Sequence, residues 1–265
     1  MSARDVVVHP DATLLAEATA ARLLTHLVDV QSHRAPVHLV LTGGTVGIKT
    51  LAAVAANPVR DAVDWSGVHL WWGDERFLPD GHPDRNETQA RDALLDALGD
   101  ALPPENVHAV PALSDYVPTP EAAADEYAVA LAAATGNTGP SPAFDVLMLG
   151  MGPDGHVASL FPGHEALEAA GRSTTGVHDS PKPPPLRVSL TFEAIRGARE
   201  VWVVAAGAEK AEAVASALAS APVETTPAAG AVGIERTLWL LDAAAAGNAG
   251  SAGSADSADN ADGSR

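Results

Sequence analysis

Short apolar runs alternate along this chain with longer stretches whose apolar residues recur at helical spacing. The runs 5–8, 37–41, 68–72, 144–149, 187–190, 201–205 and 238–241 predict buried strands. Between them, 11–30, 46–56, 86–98, 120–134, a segment near Glu193, and 209–218 predict helices. Asp11 is placed to cap the first helix, whose stripe is Leu14, Leu15, Ala18, Leu23 and Leu27. Thr119 and Pro120 form the cap and first turn of another. The alternation of strand and helix patterns predicts an α/β domain with a Rossmann-like, doubly wound, mostly parallel sheet flanked by helices.

Two stretches, 135–143 and 173–185, are rich in glycine and proline and read as loops inside one domain spanning 1–245. From 246 to 265 the chain is a Gly/Ala/Ser/Asp mixture without large apolar residues, the composition of a disordered tail.

An apolar fraction of 46% supports a substantial core. With no cysteine, the chain has no disulfide, thiolate nucleophile or cysteine-held metal. No apolar run approaches the roughly 18 residues of a membrane span, and no signal peptide is visible, so a cytoplasmic protein is expected. A net charge of −18 argues against nucleic-acid and acidic-membrane partners. It also makes basic residues conspicuous, because only three lysines (Lys49, Lys182 and Lys210) and thirteen arginines are present. A cation at a strand–helix junction is therefore a candidate anion ligand.

Five junctions stand out. The strand ending at Leu149 breaks into Gly150-Met-Gly-Pro-Asp154-Gly155-His156 before a short helical pattern. Such a corner exposes backbone N–H groups to an anion, and His156 adds a proton-transfer group. The same glycines formally match the dinucleotide fingerprint, but Pro153-Asp154 puts a carboxylate where pyrophosphate would sit. Thr42-Gly43-Gly44-Thr45 forms a second corner, readable as a cradle for phosphate or sugar oxygens or as a compact turn. Gly73-Asp74-Glu75-Arg76 closes the third strand, with Arg76 suited to an oxyanion and Asp74 to an imidazole or hydroxyl. Glu75 there reads as a surface ion pair. Arg187 and Lys210 stand at two further junctions that can face the same rim.

The ten histidines show no metal-ligand spacing; His9, His26, His33, His38, His69 and His108 sit singly. There is no G-x-S-x-G elbow, so a hydrolytic nucleophile would be water.

In order and spacing these segments resemble the 6-phosphogluconolactonase family across residues 5–245. GMGPDGHVASLFPG (150–163) carries the resemblance, with Val157 where the family typically has threonine. Asn86, the RVSLT run at 187–191, Gly207 with Lys210, and the closing WLLD at 239–242 support it. The first glycine corner departs, reading TGGTVG in place of SGGSTP. Related amino-sugar-phosphate deaminase/isomerases share both corners but follow DGH with an Asn-Glu pair absent here. A non-catalytic sugar-phosphate sensor is a further alternative, although the chain has no helix-turn-helix signal.

The resemblance implies hydrolysis of 6-phospho-D-glucono-1,5-lactone without cofactor or metal, by a monomer or small homo-oligomer. It makes His156 the general base, and Asp74 is the candidate for orienting the imidazole or a sugar hydroxyl. The implied substrate contacts are Gly43, Gly44, Arg76, Asp154, Gly155, Arg187 and Lys210, with N–H groups of 150–155 or a nearby cation stabilising the oxyanion.

Overall fold

The computed structural model describes residues 4–247 apart from Asn137. Six parallel strands form the main sheet: β1 (Arg4–His9), β2 (Val37–Leu41), β3 (Val68–Trp72), β5 (Val146–Gly150), β8 (Glu200–Ala205) and β9 (Arg236–Asp242). Their order across the sheet is β1-β9-β8-β5-β2-β3. β2 and β3 hold the expected bounds, and every residue of β2 is buried, as a central parallel strand requires. The chain winds outward from β2 to β3 on one side and from β5 through β8 to β9 on the other. The C-terminal ends of β2 and β5 thus lie together at the topological switch point, where open α/β sheets leave a crevice.

The helices are α1 (Ala12–Gln31), α2 (Gly44–Ala56), α3 (Asn86–Ala90), α4 (Asp96–Leu98), α5 (Pro120–Ala133), α6 (Phe192–Arg196), α7 (Ala211–Leu218) and α8 (Ala243–Ala246). Asp11 caps α1 through Thr13 N and Leu14 N. The buried stripe of α1 is Leu15, Ala16, Thr19, Ala20, Leu23, Leu24, Leu27 and Val30; Leu14 is exposed. α3 and α4 are joined by a π-helical turn, Arg91–Leu95, so the expected helix 86–98 is continuous but irregular.

The expected architecture is modified by a second sheet, antiparallel, in the order β4-β7-β6. It contains β4 (Asp74–Arg76), β6 (Thr174–Val177) and β7 (Arg187–Leu190). Arg187–Leu190 therefore lies outside the parallel sheet, and the segment 173–185 opens as a strand before becoming a loop. β4 and β6 are too polar to announce themselves by hydropathy. The C-terminal boundary also moves: Ala246 is buried at the end of α8, and the residues expected to form a disordered tail otherwise lie outside the described residues from 248 onward.

Three histidines expected to stand singly form one cluster on β2, β3 and the following segment. His69 Nδ1 lies 2.8 Å from His108 Nε2, and His38 Nδ1 accepts from Trp71 Nε1 at 3.1 Å. The His108 ring stacks on Trp71 at 3.9 Å. Burial, then the neighbouring His69, push His38 down to about 4; burial, then His69 and His38, do the same to His108. These rings are neutral when folded but take up protons when unfolded near pH 6.5, so they stabilise the fold above that pH. Their contribution is lost as pH falls from about 6.5 towards 4. Glu75, raised by burial, acts in the opposite sense over part of this window. The expected result is therefore a difference. The urea midpoint of His108→Phe, which keeps the stack, should fall less between pH 7.5 and pH 5 than that of the wild type. Equal falls would show that the cluster does not couple protons to folding.

Candidate active site

A cavity of about 440 Å³ opens at the switch point. Its floor is the two glycine corners, tied together by Gly150 N donating to Thr42 Oγ1 at 2.9 Å. Gly44 begins α2 with a φ of +78°, a backbone that glycine adopts freely. Gly43 is forced by proximity: a Cβ there would overlap the Asn86 side chain. No side chain caps α2, and the backbone of 43–46 lines the cavity, so the helix presents its positive end to the space.

His156 projects into the cavity from the turn after β5. Its Nδ1 pairs with Asp154 Oδ1 at 2.6 Å, and its ring packs on Phe161 at 4.5 Å. With Nδ1–H donated to the carboxylate, Nε2 keeps its lone pair. Burial alone would raise Asp154, but the hydrogen bond from His156 and the charges of His156 and Lys182 outweigh it and hold the carboxyl down at about 2. Gly152 is required here because a Cβ would overlap the imidazole.

The partner of the imidazole is thus Asp154, where Asp74 had been the candidate. Asp74 does line the cavity, but its Oδ2 accepts from Ser159 Oγ at 2.7 Å and faces Arg187 Nη1 at 3.8 Å. Asp154 and Gly155, expected to touch substrate, are not part of the cavity wall. Asp154 stands behind the ring, and Gly155 packs against Thr226 with φ +82°. The turn supplies fewer free donors than expected. Gly150 N, Gly152 N and Gly155 N are spent on Thr42 Oγ1, His156 O and Gly152 O.

The second sheet supplies the opposite wall. Alternation along β4 turns Asp74 and Arg76 into the cavity and Glu75 away from it. Glu75 is not a surface residue: it is 0% exposed and faces the equally buried Arg85 at 3.8 Å. Its oxygens accept from Asn86 N (2.6 Å) and Glu87 N (2.9 Å), capping α3, and from Arg76 N (2.8 Å). α3 in turn holds Asn86 against the Gly43 corner, its Nδ2 donating to Asp74 O at 2.8 Å. Arg187 is 6% exposed and largely committed to backbone: Nε to Pro184 O, Nη2 to Lys182 O and Pro183 O.

Lys210 reaches the cavity from the turn before α7; burial, then the charge of Lys182, lowers its pKa. All three lysines of the chain, Lys49, Lys182 and Lys210, line this one cavity. Lys49 and Lys182 had not been assigned to the site. Their rarity in a chain of charge −18 was the available signal.

Fold and cavity together define a class: an α/β protein that gathers its scarce cations and one carboxylate-backed histidine around a small anionic substrate. The comparisons name the family within that class. The family model for glucosamine-6-phosphate isomerases/6-phosphogluconolactonase matches residues 10–239. A 6-phosphogluconolactonase of Streptomyces coelicolor is 58% identical, over 91% of this chain and 93% of its own. One from Mycobacterium leprae is 46% identical, over 91% and 96%. The solved structure of 6-phosphogluconolactonase from Trypanosoma brucei superposes with a TM-score of 0.79 at 28% identity, covering 94% of this chain and 99% of its own. The chain belongs to the 6-phosphogluconolactonase family.

Proposed function

We propose that this protein hydrolyses 6-phospho-D-glucono-1,5-lactone to 6-phosphogluconate, the lactone-opening step of the oxidative pentose phosphate pathway. The observation that carries the reading is the His156–Asp154 pair at 2.6 Å, set in a cavity walled by every lysine of the chain. The substrate offers two things such a site can use: a phosphate dianion to hold and a strained ester carbonyl to attack.

In this mechanism Nε2 of His156 removes a proton from water as the water oxygen bonds to C1. Asp154 keeps the proton on Nδ1 and stabilises the imidazolium that forms. The C1 oxyanion is met by cations and by the N-terminal N–H groups of α2, because the donors of the 150–155 turn are largely occupied. On collapse the C1–ring oxygen bond breaks, and the imidazolium returns its proton to that oxygen. The acid released then ionises to solvent.

Arg76, Lys49 and Lys210 are left to share the phosphate, since most guanidinium donors of Arg187 are spent on the loop carbonyls. Lys210→Ala is expected to raise KM about tenfold or more, the loss of one charge-assisted bond, with kcat much less affected. An unchanged KM would remove Lys210 from the phosphate site.

The test of the reading as a whole is loss of freshly generated lactone, coupled to oxidation of the 6-phosphogluconate formed and corrected for spontaneous opening. Opening no faster than in buffer would sink it. Ammonia release from glucosamine 6-phosphate would move the chain to the isomerase side of its family.

A further inference from the structure

We propose that Lys182 is a positioning residue of this site, acting through Asp154 to set the pH at which His156 becomes available as a base. The inference rests on the reading of His156 as the lactonase base and adds a device that controls it.

Lys182 Nζ lies 3.8 Å from Asp154 Oδ1, the same oxygen that His156 Nδ1 meets at 2.6 Å. One carboxylate oxygen is thus shared by an ammonium and an imidazole. The ammonium acts on the ring in two ways. It takes part of the Asp154 field, and it places a positive charge close to the ring, where a protonated imidazole would be repelled. Both effects favour the neutral ring that abstraction of a proton from water requires.

The loop carrying Lys182 is anchored as this role demands. Arg187, at the start of β7, donates Nε to Pro184 O at 3.2 Å and Nη2 to Lys182 O and Pro183 O at 3.1 Å each. Ser180 Oγ donates to Lys182 O at 2.9 Å, and Ser180 N to Pro185 O at 3.1 Å. Arg187 is itself buried against Asp74. Three successive carbonyls are therefore fixed by one buried side chain, and the long lysine is delivered from a rigid base. None of these anchoring bonds uses the Lys182 ammonium, so replacing it leaves the loop intact.

Other charges line the same cavity as His156 and stay constant in the comparison. Lys210 and Glu209 approach from the turn before α7, Asp74 and Arg76 from β4, Lys49 from α2 and Asp242 from the end of β9. Arg187 lies over the Phe161 ring, on which His156 also packs.

The experiment is the pH dependence of kcat/KM for wild type, Lys182→Met and Lys182→Arg, with spontaneous opening subtracted. Titration of the substrate phosphate is common to all three and cancels. In Lys182→Met the acid limb should move to higher pH by about half to one unit, as expected for one charge removed at this range. Lys182→Arg should keep the wild-type limb. A rise in KM for Lys182→Met with an unmoved limb would make Lys182 a phosphate ligand and overturn the proposal. A limb moved equally by arginine and methionine would overturn it too, because the effect would then follow shape and not charge. A wild type without lactonase activity would instead sink the function on which this inference rests.

Discussion

His156→Asn should lower kcat by about 10²- to 10⁴-fold, the range that a positioned general base contributes. Product affinity should hardly change, because phosphate and sugar hydroxyls are held by other groups. Asparagine preserves a polar side chain of similar reach and still offers a donor to Asp154. It supplies no basic nitrogen to water. The remaining rate should be what cation-assisted attack by unactivated water allows, and the lactone opens slowly without any enzyme. The acid limb of the pH profile should disappear with the imidazole, since nothing else in the cavity is paired to play that part. The measurement is steady-state turnover of fresh lactone beside calorimetric binding of 6-phosphogluconate. Turnover near that of the wild type would take His156 out of the mechanism. Loss of both turnover and product binding would make its role structural.

The parallel sheet was readable from hydropathy because an interior strand such as Val37–Leu41 is buried on both faces and is apolar but for His38, and the edge strand Val68–Trp72 is nearly as buried and apolar but for His69. β4 was not readable, for the opposite reason. Asp74-Glu75-Arg76 is a buried strand made of charges, made tolerable by Ser159, Arg187, Arg85 and three backbone N–H groups. No local pattern signals partners so distant in the chain. β6 hides in the same way, as Thr174-Thr-Gly-Val177 within a Gly/Pro-rich stretch.

The site divides along the same line. His156 and Lys210 stand at strand–helix corners that any α/β sheet turns towards its crevice, so their place followed from the topology, whereas Arg76 follows the end of β3 on β4 of the antiparallel sheet. The pairing of Asp154 with His156 is a matter of side-chain direction inside one tight turn. Spacing alone could not choose between Asp154 and Asp74. Lys182 arrives from the antiparallel sheet, whose existence the sequence did not reveal. The histidine cluster was missed because His38, His69 and His108 meet only through the register of β2 with β3 and the bridge between Leu70 and Val107.

The largest expected effect on stability lies outside the cavity, at Glu75. Glu75→Ala should destabilise the fold by about 3–5 kcal/mol, the usual cost of removing one member of a buried ion pair. Three losses coincide there. Arg85, 1% exposed, keeps hydrogen bonds to Leu78 O and Val110 O but loses its carboxylate. Asn86 N and Glu87 N lose the cap of α3, and Arg76 N loses its acceptor. Burial pushes the Glu75 carboxyl up to about 7 against the pull of Arg85 and those N–H groups, so its environment is already costly to the charged form. Glu75→Gln separates the contributions. It keeps the volume but turns an NH₂ towards an N–H that needs an acceptor, and should cost about 1–3 kcal/mol. Because α3 carries Asn86 and β4 carries Asp74 and Arg76, either variant should also weaken substrate binding in the fraction that stays folded. Urea unfolding at pH 7.5 measures the first effect, and KM at low temperature the second. A change below about 1 kcal/mol for the alanine variant would mean that Arg85 and the start of α3 find new partners, and that β4 does not depend on its buried acid.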